Sequence, residues 1–112
     1  MNIDWTFRGE PIADEARQRV DDQLHKIARL LREPTDAHVV VGHEGPTHQR
    51  VDLEVVLTSP EGTFKGHGES HDLDELVRDV LHRIDAQVHK AHDKRLEARR
   101  HSGAPTPTAE GQ

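Results

Sequence analysis

Apolar residues follow a strand-like or a helix-like period in most of the chain. Residues 2–8 alternate, with Ile3, Trp5 and Phe7 on one side, which predicts a half-buried first strand. From Ile12 to about Arg32, apolar residues recur every three or four positions, which predicts an amphipathic helix. Pro34 follows, and a proline cannot continue a helix.

The middle of the chain predicts three more strands. Residues 37–41 form a short apolar run, residues 50–57 alternate cleanly, and residues 63–69 return after a turn at 59–62. Residues 42–49, with two glycines and a proline, favour a mobile loop. Gly66 and Gly68 share a face with Phe64 on the last strand, so we expect another element to approach closely there.

A second helix is predicted from Asp72, because this acidic residue and Glu75 resemble a capping box. The helical spacing of apolar residues continues to about residue 91. Residues 94–100 favour a helix by composition but have little apolar face, so we expect this end to project or fray. Residues 101–112 are polar and proline-bearing, which predicts a disordered tail.

The predicted order is therefore β-α-β-β-β-α, an α+β fold. Each strand alternates and needs cover on one side only, so we expect one four-stranded sheet with two helices packed on one face. The length of 112 residues fits one domain, at residues 1–100, followed by the tail at 101–112.

Composition excludes several classes of protein. With 15 Lys+Arg against 21 Asp+Glu the formal net charge is −6, so the chain is not a generally basic nucleic-acid binder and any such binding needs a local patch. The absence of cysteine excludes disulfides and thiolate chemistry. No apolar run is long enough for a membrane span, and the first residues lack the features of a signal peptide. We therefore expect a cytoplasmic protein with no membrane partner.

Enzyme motifs are lacking as well. The sequence has no phosphate-binding glycine loop and no nucleophile elbow. His67, Ser70 and Asp72 supply the letters of a catalytic triad, but such close neighbours cannot adopt its geometry, and they fit a strand end and a helix cap better. We expect no catalysis, no cofactor and no small-molecule substrate.

The acidic total hides two rows of basic and polar residues. Arg83, Gln87, Lys90 and Lys94 lie beside the apolar stripe of the second helix, and Arg19, Gln23 and Lys26 lie beside that of the first. Two such rows on one surface would suit the phosphates of a folded RNA. The alternative is that they are ordinary solvated helix faces, with basic C-terminal ends favoured by the helix dipole.

Histidines form a second unusual cluster, in the second helix. His82, Asp85, His89 and His92 fall along one flank, where adjacent members could share a metal ion. Their spacing matches no established metal motif, so surface histidines that gain charge in mild acid are the favoured interpretation. His43 and His48, in the predicted loop, are weaker candidates.

At this point the chain resembles the ribosome hibernation promoting factor and ribosome-associated inhibitor A family, also called sigma-54 modulation proteins. The first helix has the family pattern at Ile12, Ala16-Arg17, Val20, Gln23-Leu24 and Lys26-Ile27. The third strand begins Arg50-Val51-Asp52-Leu53, and the last helix opens with Asp72-Leu73 and continues through Arg83-Ile84, Gln87-Val88, Lys90 and Asp93-Lys94. The likeness covers about residues 1–100. The chain departs from the pattern at Gln23, Asp74, Ala86, Ala91 and His92.

The resemblance implies a protein that binds the small ribosomal subunit and its rRNA near the decoding centre, with no DNA partner. Such a protein blocks the path of tRNA and mRNA under stress or in stationary phase. The implied rRNA contacts are Arg17, Lys26, Arg83, Lys90 and Lys94, to which helix geometry adds Arg19 and Arg29. The alternative is a protein-interaction or stress-response module that retains the fold without binding the ribosome.

Overall fold

The structure is a computed structural model that describes residues 1–43 and 50–103, with side chains through residue 98. Residues 44–49 of the predicted loop and residues 104–112 of the predicted tail lie outside the described residues. The elements are β1 (Asn2–Gly9), α1 (Asp14–Ala28), β2 (Asp36–His43), β3 (Val51–Ser59), β4 (Gly62–Ser70) and α2 (Leu73–Gly103). The predicted α+β fold and the element order β-α-β-β-β-α are confirmed.

One four-stranded sheet contains all four strands in the order β1-β2-β3-β4. β1 and β2 are parallel, joined by α1, whereas β2, β3 and β4 are antiparallel neighbours. Trp5, Val39 and Val55 lie side by side across the sheet, on the face that packs against the helices. Both helices cover this face, as the alternation of apolar residues predicts.

Several boundaries differ from the predicted ones, and three of these differences have a clear structural cause. Gly42 and His43, expected in a loop, belong to β2, because they pair with the first residues of β3. The first helix ends at Ala28 rather than near Arg32, and a turn then brings Leu31 back into the core. α2 extends as helix to Gly103, well beyond the apolar period that stops near residue 91.

The glycines of β4 allow α2 to lie directly on the strand. A Cβ atom on Gly66 would lie 3.0 Å from the backbone oxygen of Val80 in α2. A Cβ atom on Gly68 would lie 3.1 Å from Leu76 Cδ1. The predicted close approach of another element to β4 is therefore confirmed, and that element is α2.

The start of α2 uses the residues that resembled both a cap and a triad. The backbone N–H of Glu75 donates to Asp72 Oδ1 at 3.2 Å, so Asp72 is the N-cap. The backbone N–H of Asp72 donates in turn to Ser70 Oγ at 3.1 Å, which replaces the reciprocal glutamate bond of a full capping box. Within the described ranges, no helix is both long enough and apolar enough to cross a membrane.

Candidate functional site

A shallow groove of about 300 Å³ runs between α1 and α2. It is lined by Gln23, Lys26, Ile27, Arg78, Leu81, His82 and Asp85. Its volume lies at the lower limit for a small-molecule pocket, and it is open to solvent, so its geometry suits contact with a larger surface. We call it the interhelical groove.

Cationic side chains line both walls of the interhelical groove. Lys26 is on the α1 wall, three residues after Gln23, and Arg78 and His82 lie one turn apart on the α2 wall. The side chains of Lys26, Arg78 and His82 are all exposed to solvent. Within the part of the chain whose side chains are described, neither Lys26 nor Arg78 has a hydrogen-bond or ion-pair partner. Their charges are therefore available to an external anion.

Arg19 lies at one end of the groove but is paired. Its guanidinium bonds to the carboxylate of Asp74, in the first turn of α2. Both side chains are about half exposed, so this ion pair adds at most about 1 kcal/mol to stability. It nevertheless holds Arg19 against an acid, which leaves Arg19 less available to a phosphate than Lys26.

Arg83 and Gln87 lie on the opposite flank of α2, over the edge of the sheet. Arg83 donates from Nη1 to the carbonyl oxygen of His67 at 3.0 Å. The amide of Gln87 bonds twice to the backbone of Lys65, from Nε2 to the carbonyl oxygen at 2.8 Å and by accepting from the N–H at 3.1 Å. The two predicted basic rows therefore do not face one surface, because α2 itself separates them.

Lys90 and Lys94 continue the outer flank of α2 beyond Gln87, at spacings of three and four residues. Both are exposed and have no partner among the described side chains. They form a second cationic patch, at the part of α2 that extends past the core residue Val88.

An ion pair anchors this end of α2 to the body of the domain. The guanidinium of Arg95 bonds to Glu61, in the turn between β3 and β4, and only 15% of the Glu61 side chain is exposed. Glu61 also accepts from the backbone N–H of Arg32, after α1, at 3.3 Å. The sequence reasoning missed this network, which connects α2 to the turn between β3 and β4 and to the segment after α1.

Arg17 and Arg29, the other two predicted contacts, lie outside the groove. The guanidinium of Arg17 lies over the rings of Trp5 and Phe7, at 5.4 and 5.7 Å from their centroids, and 3.9 Å from Asp14. It thus packs α1 against β1. Arg29 is exposed at the C-terminal cap of α1.

The histidines of α2 do not form one cluster, because each contacts different residues. His82 lines the groove, whereas His89 lies 3.4 Å from Asp85 and His92 lies 3.3 Å from Arg95. Among the described residues, no group of three or more histidine, aspartate or glutamate side chains is placed to hold a metal ion.

Arg78 is the groove residue that the sequence reasoning missed. The sequence contains a signal for Arg78. Arg78, His82 and Asp85 are spaced by four and three residues, as Arg83, Gln87 and Lys90 are, and they lie on the other flank of the apolar stripe of α2. The sequence prediction follows the row through Arg83 instead, since that row contains more permanent cations.

Comparisons with known proteins identify relatives of this fold. The family model described as Sigma 54 modulation protein / S30EA ribosomal protein matches residues 3–96. The crystal structure of the N-terminal domain of Thermus thermophilus Protein Y is similar, with a TM-score of 0.67 and 26% identity over 79% of this chain and 96% of that chain. A ribosomal subunit interface protein from Coxiella burnetii has a TM-score of 0.64 and 20% identity over 80% of this chain and 96% of that chain, a likeness that supports the fold alone. No curated protein gives a significant match.

Proposed function

Because the chain belongs to the Sigma 54 modulation protein / S30EA ribosomal protein family, we propose that it binds the small ribosomal subunit near the decoding centre and blocks the path of tRNA and mRNA. It acts in the cytoplasm, under stress or in stationary phase, by occupying space rather than by catalysis. The observation that carries the proposal is the pair of unpaired cations, Lys26 and Arg78, on facing walls of the interhelical groove.

The distribution of charge explains how an acidic chain binds RNA. Five exposed acids lie on the strand face that points away from the helices: Asp4, Asp36, Asp52, Glu54 and Glu69. On the helix side, Lys26 and Arg78 of the interhelical groove have no acidic partner among the described side chains. The phosphates of a folded RNA are attracted to these two cations and repelled by the acids of the open sheet face.

The two cationic patches make different contributions to this proposal. The interhelical groove supplies Lys26 and Arg78, and the outer flank of α2 supplies Lys90 and Lys94. Arg83 stays a predicted contact with reduced freedom, since one of its donors is bonded to the edge of β4. Arg17, Arg19 and Arg29 stay predicted contacts as well, and the first two already have partners within the fold.

The salt dependence of ribosome binding gives a quantitative test of the proposal. Each phosphate contact lowers the logarithm of the binding constant by roughly 0.9 for each tenfold rise in salt. Four contacts would therefore weaken binding about 10³- to 10⁴-fold between about 50 and about 500 mM salt. Loss of two cations should reduce that slope by about two.

The test is co-sedimentation of the purified protein with ribosomes and with separated subunits at these two salt concentrations. We expect saturable binding to the small subunit at low salt and its loss at high salt. The double variant Lys26→Glu/Arg78→Glu should lose binding, and Lys90→Glu/Lys94→Glu tests the second patch. The single variants Lys26→Glu and Arg78→Glu should each weaken binding, and Lys65→Glu, an equal charge reversal on the open sheet face, is their matched control and should bind as the wild type does.

Two results would contradict the proposal. Absence of pelleting at either salt concentration, for a protein with a cooperative unfolding transition, would mean that the fold serves another function. Equal loss of binding in Lys26→Glu, Arg78→Glu and Lys65→Glu would mean that net charge, rather than the groove, governs the interaction.

A further inference from the structure

The two edge strands of the sheet differ in whether other residues bond to their outward-facing backbone groups. The β4 edge is covered, because Gln87 and Arg83 bond to its backbone at Lys65 and His67. The β1 edge receives no hydrogen bond from any residue in the described ranges, although β1 is eight residues long. An uncovered edge strand of this length presents a row of backbone donors and acceptors for another strand.

The register of β1 shows which backbone groups are free. Asn2 pairs with Asp36 of β2, and its N–H donates to the oxygen of Thr35 at 3.1 Å. Since backbone groups alternate in direction along a strand, the even-numbered residues bond to β2. The N–H and C=O groups of Ile3, Trp5 and Phe7 therefore point outward.

We propose that β1 pairs antiparallel with β1 of a second copy of this chain, about a two-fold axis at Thr6. In this register Trp5 lies opposite the partner's Phe7 and exchanges both backbone hydrogen bonds with it. On the other face Asp4 lies opposite the partner's Arg8, and the two-fold axis repeats each pair. The segment Asp4-Trp5-Thr6-Phe7-Arg8 is thus complementary to itself in both charge and aromatic character.

Neighbouring registers lack this complementarity. A slip of two residues one way sets Asp4 opposite the partner's Thr6 and Arg8 opposite the partner's Asn2. A slip the other way sets Asp4 opposite the partner's Glu10, a like charge. A slip of one residue is excluded. The outward-pointing backbone groups of one strand would then lie opposite residues of the partner strand whose backbone groups are already bonded to β2.

The helix layer has room for the second copy. α2 covers β3 and β4, and α1 packs over β1, where Arg17 contacts Trp5 and Phe7. Two helices over four strands give each helix, on average, the width of two strands, roughly 9.6 Å at about 4.8 Å per strand. Two first helices set side by side across the new pair would lie at about the usual helix packing distance of 8–10 Å. The aromatic side chains of β1, which are only partly buried, become covered.

Sedimentation velocity from about 1 to about 500 µM tests the proposal. We expect the mass to rise from 12.7 kDa toward about 25 kDa with concentration, with a blue shift in the emission of Trp5, which is the chain's one tryptophan. Asp4→Arg and Arg8→Asp should each remain monomeric, because each opposes like charges. Their equimolar mixture should form heterodimers, and the double variant Asp4→Arg/Arg8→Asp should form dimers again.

Glu54→Arg is the matched control, since it reverses a charge on the same sheet face but on the central strand β3. It should dimerise as the wild type does. A wild type that stays monomeric at about 500 µM would overturn the proposal. Dimers that persist in both single variants, or a double variant that fails to regain them, would overturn the pairing about Thr6. None of these measurements depends on ribosome binding.

Discussion

Replacement of Gly66 by alanine tests how closely β4 and α2 are packed. The new Cβ atom would lie 3.0 Å from the backbone oxygen of Val80, and 3.1 Å from Ile84 Cγ1. A backbone atom in the middle of a helix cannot move alone, so the strand or the whole helix must shift. Overpacking of this kind costs about 1–3 kcal/mol, and the entropy gain from replacing glycine returns about 0.4–1 kcal/mol. We expect Gly66→Ala to lower the free energy of unfolding by about 1–2 kcal/mol.

Gly68→Ala is the matched control, on the same strand and the same face. Its Cβ atom would meet Leu76 Cδ1 at 3.1 Å, which is the flexible end of a side chain, and no backbone atom is among its nearest neighbours. We expect its free energy of unfolding to stay within about 0.5 kcal/mol of the wild type. Urea unfolding followed by circular dichroism measures both. Equal stability of the two variants would refute the argument, because it would mean that side chains and backbone yield equally at this interface.

Three further predictions concern single contacts. Asp72→Ala should lower the free energy of unfolding by about 1 kcal/mol in urea unfolding, and Asp72→Asn should restore most of it, since asparagine also accepts the capping bond. Glu61→Gln leaves the guanidinium of Arg95 without its acid, so hydrogen exchange should accelerate in the last turns of α2 and not in its first turns; uniform acceleration would contradict this. Arg17→Met should change the emission of Trp5 and cost about 0.5–1 kcal/mol by losing the cation–π contact, whereas an unchanged spectrum would show that the ring does not sense the guanidinium.

The candidate site was only partly accessible from the sequence. Lys26 was identified, because its spacing from Gln23 places it beside the apolar stripe of α1. The sequence pattern favours Arg83 and does not single out Arg78, although both lie beside the stripe of α2 on opposite flanks. Helical spacing fixes the angle of each residue around its own axis, but it does not show which flank meets the neighbouring helix. The structure assigns the flank of Arg78 to the groove and the flank of Arg83 to the sheet edge.

The boundaries of the helices and strands likewise depend partly on local sequence and partly on tertiary contacts. Gly42 and His43 have no strand preference of their own and become strand because β3 supplies partners for them. α2 continues past its apolar stripe because its composition favours a helix and Glu61 holds Arg95. The pairing with β3 and the contact of Arg95 with Glu61 are not visible in a local window of sequence, since each depends on a residue that is distant in the chain.

The sequence alone determined the element order, the buried face of each strand and helix, and the resemblance to a family. These properties follow from periods of two and of 3.6 residues, which are local and depend on the chain's own geometry. Tertiary structure alone decided which cations stay free, which are paired with acids or backbone oxygens, and which strand edge is covered. Those outcomes depend on the distances between side chains of different elements, and such distances exist only once the sheet and the helices have packed.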